Sequence, residues 1–289
     1  MKNKFSKKYV TEYHERHVNR FLADMEKTRK KPDEENIHQL RLDIKRIRNF
    51  LVMLEWIYPE KIRRKKQGSV LDPVFDSGGK IRELQVNLLY LSGRRLPLRL
   101  KKKYEDYINH ERELLQRKLI KAVDHFDYSW EKRSREKITK LCRACSQHKL
   151  NAGSHALIRS KAKSVEVLSG SDRKTAMHKT RTHLKTIYGV ISFLLKEGGS
   201  DGSEKLRSLL GPIKTAADLI GEWHDQLALI HSLNKFRRVA ADKREAVALN
   251  RLISQLKKEN KYTRAISGRK TVEINRLIRA SHFNCSARY

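Results

Sequence analysis

Residues 37–48 read Ile-His-Gln-Leu-Arg-Leu-Asp-Ile-Lys-Arg-Ile-Arg, and this stretch decides the fold class. Its apolar positions and those that follow step by three and four residues, the spacing of one buried helix face. These positions are Ile37, Leu40, Ile44, Ile47, Leu51 and Leu54. Five prolines and 13 glycines are few for 289 residues, and no segment alternates like a strand. The sequence therefore predicts an all-α protein of long helices and short loops.

A basic stripe runs beside this apolar face. His38, Arg41, Lys45 and Arg48 follow the same steps, displaced by one residue from the buried positions. Since each residue turns a helix by about 100°, the stripe lies on the flank of the buried face. Charges that serve only solubility are expected opposite the core. The stripe is therefore predicted to face a groove or cavity.

The same pattern returns in the second half of the chain. Residues 177–188 read Met-His-Lys-Thr-Arg-Thr-His-Leu-Lys-Thr-Ile-Tyr, so His178, Arg181 and Lys185 recur 140 positions after their counterparts. A second motif also repeats: a glycine, two residues, a basic residue and an acid, at residues 79–83 and 221–225. Its basic residues are Arg82 and His224. Two motifs in the same order predict an internal duplication.

The duplication suggests how the chain is organised. We expect a first helical repeat over residues 1–150, a second over 151–260 and a basic C-terminal tail over 261–289. The boundary is set by Asn151-Ala152-Gly153, and residues 197–202 are a predicted loop. Gly211-Pro212 predicts a helix break. The tail is weakly patterned, so we expect it to be only partly ordered, with a short helix over residues 274–278.

The charge of the chain points to an anionic partner. Lys and Arg number 65 against 33 Asp and Glu, a formal net charge of +32. A balance this far to one side repels itself unless it is spread out or neutralised by nucleic acid, an acidic membrane surface or a phosphate polymer. Three cysteines indicate no disulfide framework. No signal-peptide core or apolar run of about 20 residues is present, so a cytoplasmic protein without a membrane span is expected.

The two repeated motifs resemble those of the CHAD family, the conserved-histidine α-helical domain, over roughly residues 5–260. The resemblance implies two pseudo-symmetric helical bundles that flank a central basic groove and bind inorganic polyphosphate there, without catalysis. Carried over onto this sequence, it implies ten polyphosphate-binding residues: His38, Arg41, Lys45, Arg46, Arg48, Arg82, His178, Arg181, Lys185 and His224. The second copy departs from the pattern at Thr186 and Tyr188, where the first has Arg46 and Arg48.

Alternative functions and sites remain open at this stage. Nucleic acid is the second candidate partner, although only 7% of residues are aromatic and Tyr188 is the one aromatic residue on the repeated stripe. A phosphohydrolase is third, because no carboxylate cluster for Mg²⁺ and no nucleophile–base pair stands out. Cys142, Cys145 and His148 lack a fourth zinc ligand at a suitable spacing, so no metal or cofactor is predicted. Each repeated histidine is expected to be oriented by an acid, Glu83 or Asp225. Association with polyphosphate granules is a further possibility; the sequence leaves the oligomeric state open.

Overall fold

A computed structural model describes residues 7–143, 145–169, 174–196, 203–239 and 242–280. The predicted loop at 197–202 lies outside these ranges. Within them the chain is α-helical, with one short 3₁₀ turn at Ser69–Leu71 and no strand, which confirms the predicted all-α fold. The helices are α1 (Lys7–Lys30), α2 (Glu34–Ile57), α3 (Arg64–Gly68), α4 (Asp72–Ser92), α5 (Leu98–Asp124), α6 (Ser129–Arg143), α7 (Gln147–Ser169), α8 (Lys174–Lys196), α9 (Ser203–Val239) and α10 (Lys243–Ala280).

Helix α2 is the central element of the first half. It starts at Asp33, whose side chain accepts a hydrogen bond of 2.9 Å from the Asn36 backbone N–H, and its first turn carries two glutamates. Its predicted apolar face is buried throughout, from Ile37 to Leu54. Because that face is wide, α2 packs against four of the longer helices, α1, α4, α7 and α8, in addition to the short α3 that follows it.

Helix α8 holds the corresponding position in the second half. It packs against α7, α9 and α2, and its buried side chains include Leu184 and Ile191. These side chains belong to one continuous core that also contains Ile44 of α2 and Ile274 of α10. The two halves of the chain therefore share a core, so the stripes of α2 and α8 are held in fixed relation to each other.

The predicted boundary at residues 151–153 is instead an interior turn of α7. Gly153 lies against α2, where an added Cβ would stand 2.7 Å from Cγ1 of Ile57. The glycine that suggested a linker therefore allows two helices to approach closely. The segment predicted to be a boundary is therefore a packed contact between α7 and α2.

The predicted helix break at Gly211-Pro212 is also wrong, since α9 continues through both residues. A proline inside a helix removes one backbone N–H, which leaves the carbonyl four residues earlier, at Ser208, without its helical partner. Ser208 is exposed, so water can bind that carbonyl, while Ile213 and Ala216 on the other face are buried in the core. The burial of Ile213 and Ala216 in the core offsets the free-energy cost of the helical hydrogen bond lost at Pro212.

The largest correction concerns the C-terminal segment. The expected tail from residue 261 belongs to α10, which continues without interruption to Ala280 and packs against α7 and α9; residues 281–289 are outside the described ranges. The buried face of this part of α10 consists largely of small polar residues, including Thr263, Ser267 and Thr271. Ser267 and Thr271 donate hydrogen bonds of 2.8 and 2.7 Å to backbone carbonyls one turn earlier, so they can be buried without loss. An apolar pattern could not have revealed this face.

None of the helices in the described ranges combines the length and the apolar character that crossing a bilayer requires.

Candidate functional site

The side chain of Arg41 on α2 packs against the surface of α4 at its glycines. Its Nη1 donates a hydrogen bond to the backbone carbonyl of Phe75, and its guanidinium carbon lies 4.2 Å from the centroid of the Phe75 ring. An added Cβ at Gly79 would stand 2.7 Å from Arg41 Nη1. Only glycine at this position lets the guanidinium reach the carbonyl. Burial, assisted by the nearby Arg48, lowers the pKa of Arg41 to about 10, so the group stays charged at neutral pH.

Arg181 of α8 is seated on α9 by the same contacts. Its Nε donates to the backbone carbonyl of Ala217 at 3.2 Å, and an added Cβ at Gly221 would stand 2.6 Å from its Nη2. Ala217 precedes Gly221 by four residues, as Phe75 precedes Gly79. In both halves the glycine of the second motif makes room for the arginine of the first. We call each arrangement an arginine seat.

Helices α2 and α8 pack together near equivalent residues. Asn49 of α2 faces Gly189 of α8, where an added Cβ would be 3.1 Å from Asn49 Nδ2. These two positions are 140 residues apart, the offset that separates the repeated histidines. Lys45 and Lys185 each stand one helical turn before the crossing. They are therefore brought towards each other by the contact between their helices.

Lys45 and Lys185 form the centre of the cationic cluster. Both are partly buried, and among the residues that the structure describes neither ammonium has a hydrogen-bond or ion-pair partner. Burial, followed in order by the positive charges of Lys185, Arg41, Arg181 and Arg82, lowers the pKa of Lys45 to about 7. Burial and Arg181 lower the pKa of Lys185 to about 8, although Asp218 and Asp225 partly oppose this change. Burial and the surrounding positive charges thus both favour the neutral form of these two amines in the free protein.

The histidines stand at the margin of the cluster. The His178 ring lies 6.2 Å from the His224 ring, centroid to centroid, and the matching neighbour of His38 is Arg82. Burial lowers the pKa of His38, as do Arg82, Lys45 and Arg41, while Glu35 opposes them; burial, His224 and Arg181 lower that of His178.

The predicted acid partners of these histidines are wrong. Glu83 is exposed and makes no bond to His38, and Asp225 instead lies 3.7 Å from Nδ1 of its neighbour His224. The lowered pKa values of His38 and His178 favour the neutral imidazole, which does not require a carboxylate partner.

The other three arginines predicted for the site, all in the first half, have carboxylate partners. Arg48 bonds to Asp72 and stacks 4.0 Å from the Phe75 centroid, and Arg82 bonds to Glu34. Both stay beside Arg41.

Arg46 does not join the cluster, since its Nη1 lies 2.6 Å from the buried Asp43. Asp43 in turn faces His17 of α1, at 3.5 Å. A step of one residue from Lys45 turns Arg46 about 100° around the helix, towards α1.

Several residues of the site were missed by sequence reasoning. Asp76 and Asp218, each three residues before the seat glycine, interact electrostatically with Arg41 and Lys185. Their equal offset was a readable signal, an Asp-x-x-Gly pattern in both halves. Phe75 had no such signal, because its counterpart is Ala217. Only the packing of α4 against α2 brings its ring beneath the two arginines.

Within the described ranges no group of three or more histidine, cysteine, aspartate or glutamate side chains is arranged to hold a metal ion. Cys142 and Cys145 are buried near the end of α6, and Cys142 Sγ accepts a hydrogen bond of 3.4 Å from the Thr11 hydroxyl.

The comparisons with known proteins agree with this architecture. The CHAD domain family model matches residues 12–234. A crystal structure of the CHAD domain from the plant Ricinus communis superposes with a TM-score of 0.72 at 13% identity, covering 95% of this chain and 91% of that one. At that identity the likeness shows the fold alone. A search of curated proteins finds no match. Because the family model spans well over half of the sequence and includes both seated arginines and both central lysines, the chain belongs to the CHAD domain family.

Proposed function

We propose that this protein binds inorganic polyphosphate, without catalysis, in a groove lined by the stripes of α2 and α8. The observation that carries the proposal is a pair of lysines at the contact of the two helices, neither of which has a partner among the described residues, with Arg41 and Arg181 beside them. A cluster of uncompensated cations is unfavourable in the free protein. It becomes favourable when an anion of high charge density occupies it.

The arginine seats support a phosphate ligand in particular. A guanidinium has five N–H donors in a planar fork. In each seat one nitrogen donates to a helix carbonyl, which fixes the orientation of the guanidinium and leaves other donors for an anion. A pre-oriented fork binds phosphate oxygens bidentately at reduced entropic cost.

Nucleic acid is the alternative, and the aromatic residues argue against it. Single-stranded nucleic acids usually bind through bases stacked on exposed rings. Phe75 is covered by two guanidiniums, at 4.2 and 4.0 Å, so its ring face is occupied. A groove between two packed helices would also be too narrow for a duplex, whereas a polyphosphate chain has no bases to accommodate.

A direct comparison of ligands tests the proposal. Affinities for polyphosphate, single-stranded DNA, duplex DNA and orthophosphate should be measured at equal phosphate concentration. We expect polyphosphate to bind tightest, with affinity falling by orders of magnitude over a few-fold rise in salt, as counterion release requires. Equal affinity for single-stranded DNA would favour the alternative. Absence of polyphosphate binding at low salt would refute the proposal.

Chain length tests whether the two stripes act on one ligand. A chain that reaches both stripes gains the effective-concentration advantage of linked sites, so affinity should rise with length and then level off. Two short chains bound independently at full affinity would contradict a shared groove.

The absence of turnover is part of the proposal. Incubation of the protein with polyphosphate or nucleoside triphosphates and Mg²⁺ should release no phosphate above background. Release that scales with protein and is lost on substitution of a groove residue would instead support a phosphohydrolase. A non-catalytic module of this kind would work in the cytoplasm, at polyphosphate granules.

A further inference from the structure

The two central lysines differ from every other cation of the site. Arg48 and Arg82 have carboxylate partners, and Arg41 and Arg181 donate to backbone carbonyls. In the described part of the chain, the Lys45 and Lys185 ammonium groups have neither. Both side chains are half-buried one helical turn before the contact of Asn49 with Gly189, so two like charges share the contact between α2 and α8. As amines they can release a proton when their pKa is lowered towards neutral pH, whereas the guanidiniums around them cannot.

The groups that face the two lysines come from four helices. The charged neighbours of Lys45 are Arg41 on its own helix, Arg82 on α4, and Lys185 and Arg181 on α8. His38 of α2 is a further titratable neighbour. Lys185 faces Arg181 and Arg41, but also Asp218 and Asp225 of α9. The two carboxylates leave Lys185 the more basic of the pair, with a pKa of about 8 against about 7 for Lys45.

We infer that the site takes up protons when it binds a polyanion, and that Lys45 and Lys185 are the groups that accept them. The inference rests on the proposed function and adds its regulation by pH. In the free protein at slightly alkaline pH, the pair carries less than its full charge of two. A phosphate chain between the lysines stabilises both ammonium forms, so each lysine becomes fully protonated in the complex.

Thermodynamic linkage fixes the sign and size of the effect. When binding takes up protons, affinity falls as pH rises, by about one decade per pH unit for each proton taken up. With the two pKa values given above, uptake is about one proton on average between pH 7 and pH 8 and approaches two by pH 9. Affinity should therefore drop about tenfold from pH 7 to pH 8, and more steeply beyond it.

Calorimetry tests this with size-fractionated sodium polyphosphate. Titrations at pH 7, 8 and 9, each in two buffers of different ionisation enthalpy, count the protons taken up on binding. The matched variant is Lys45→Arg with Lys185→Arg, which keeps two positive charges that cannot be released in this range. Uptake that rises with pH in the native protein and is lost in the variant is the expected result. Binding without uptake would overturn the inference while leaving the proposed function intact, and uptake that persists in the variant would overturn the assignment to the lysines.

A second measurement needs no ligand. In protein labelled with ¹³C at lysine Cε, two resonances should titrate between pH 6.5 and 8.5. The Lys45→Arg variant should lack one of them, and the Lys185→Arg variant should lack the other. Titration of every lysine near its ordinary value of about 10.4 would overturn the inference even if polyphosphate binds. Two early-titrating lysines in a protein that fails to bind polyphosphate would instead sustain the proton-accepting pair and refute the proposed function.

Discussion

The α2–α4 half and the α8–α9 half of the molecule hold the same arginine and lysine in different surroundings. In the first half, Phe75 lies beneath two guanidiniums, and Arg48 and Arg82 bond to Asp72 and Glu34. In the second half, Phe75 is replaced by Ala217, Arg48 by the exposed Tyr188, and Arg82 by His224. The first half thus carries more arginine charge, and its additional arginines are paired with carboxylates. The second half instead carries a pair of histidines.

What the halves share indicates which features the site requires. Both have a glycine that admits an arginine, a helix carbonyl that orients it and a lysine without a partner. The residues that differ between the halves surround these shared residues. We therefore expect substitutions in the shared set to have large and equal effects in the two halves, and substitutions outside it to have smaller and unequal ones.

The largest expected effect comes from removing both lysines. Lys45→Met with Lys185→Met should weaken polyphosphate binding at pH 7 by at least about 100-fold, because hydrogen bonds to charged groups contribute about 1.5–3 kcal/mol each. The fold should be no less stable, since unfolded lysines titrate near about 10.4 and burial of the charged forms opposes folding. Calorimetric affinity and thermal unfolding measure the two effects.

The control for that variant removes the same charge elsewhere. Lys132→Met with Lys140→Met changes two exposed lysines of α6 and should lower affinity only slightly. Equal losses in the two double variants would show that net charge, rather than the lysine pair, governs binding.

The next effect concerns the arginine seats. Gly79→Ala and Gly221→Ala place a Cβ 2.7 and 2.6 Å from a guanidinium nitrogen. The flexible arginine would move away, so each variant should lose about tenfold in affinity while stability falls by about 1 kcal/mol or less. Gly268→Ala in α10 is the control, because its Cβ meets no atom within 4 Å, and it should be stabilising by about 0.5–1 kcal/mol. Losses that differ widely between the two seat variants would break the equivalence of the halves.

A smaller effect should separate the halves by pH. The pKa of His178 is lowered in the free protein by burial, His224 and Arg181, so an anion that stabilises the imidazolium should bind more tightly in acid. Between pH 7 and pH 5.5 we expect a gain of roughly threefold to tenfold. His178→Gln with His224→Gln should remove more of this gain than His38→Gln, and His125→Gln, an exposed residue of the α5–α6 connection, should remove none. A larger effect of His38→Gln would show that the first half, and not the second, accounts for the gain in affinity at low pH.

The smallest effect is expected at Arg46. Its side chain bonds to Asp43 on the α1 side of α2, so Arg46→Ala should change affinity by less than about twofold. Stability should fall by about 1–3 kcal/mol, because the buried Asp43 loses a partner. A large loss of affinity with unchanged stability would return Arg46 to the binding site, as the sequence resemblance implied.

Much of the candidate site could be predicted from the sequence because it lies on single helices. A spacing of three and four residues is enough to place His38, Arg41 and Lys45 on one flank of α2, and the same spacing places their counterparts on α8. Position within a helix, however, does not tell which neighbour a side chain meets. For that reason the family resemblance placed Arg46 in the site although it bonds to Asp43, and Glu83 was a candidate partner of His38 although it is exposed.

The sequence by itself determined the all-α class, the buried faces of α2 and α8 and the two repeated motifs, because helical periodicity is a local property of the chain. Only the tertiary structure decided that the second-motif glycines receive the first-motif arginines, and that Lys45 and Lys185 meet where α2 contacts α8. It also decided that α9 continues through Pro212 and that α10 continues through the segment whose buried face is polar. Contacts between distant helices depend on shape and on satisfied hydrogen bonds across the whole core, and no short stretch of sequence contains that information.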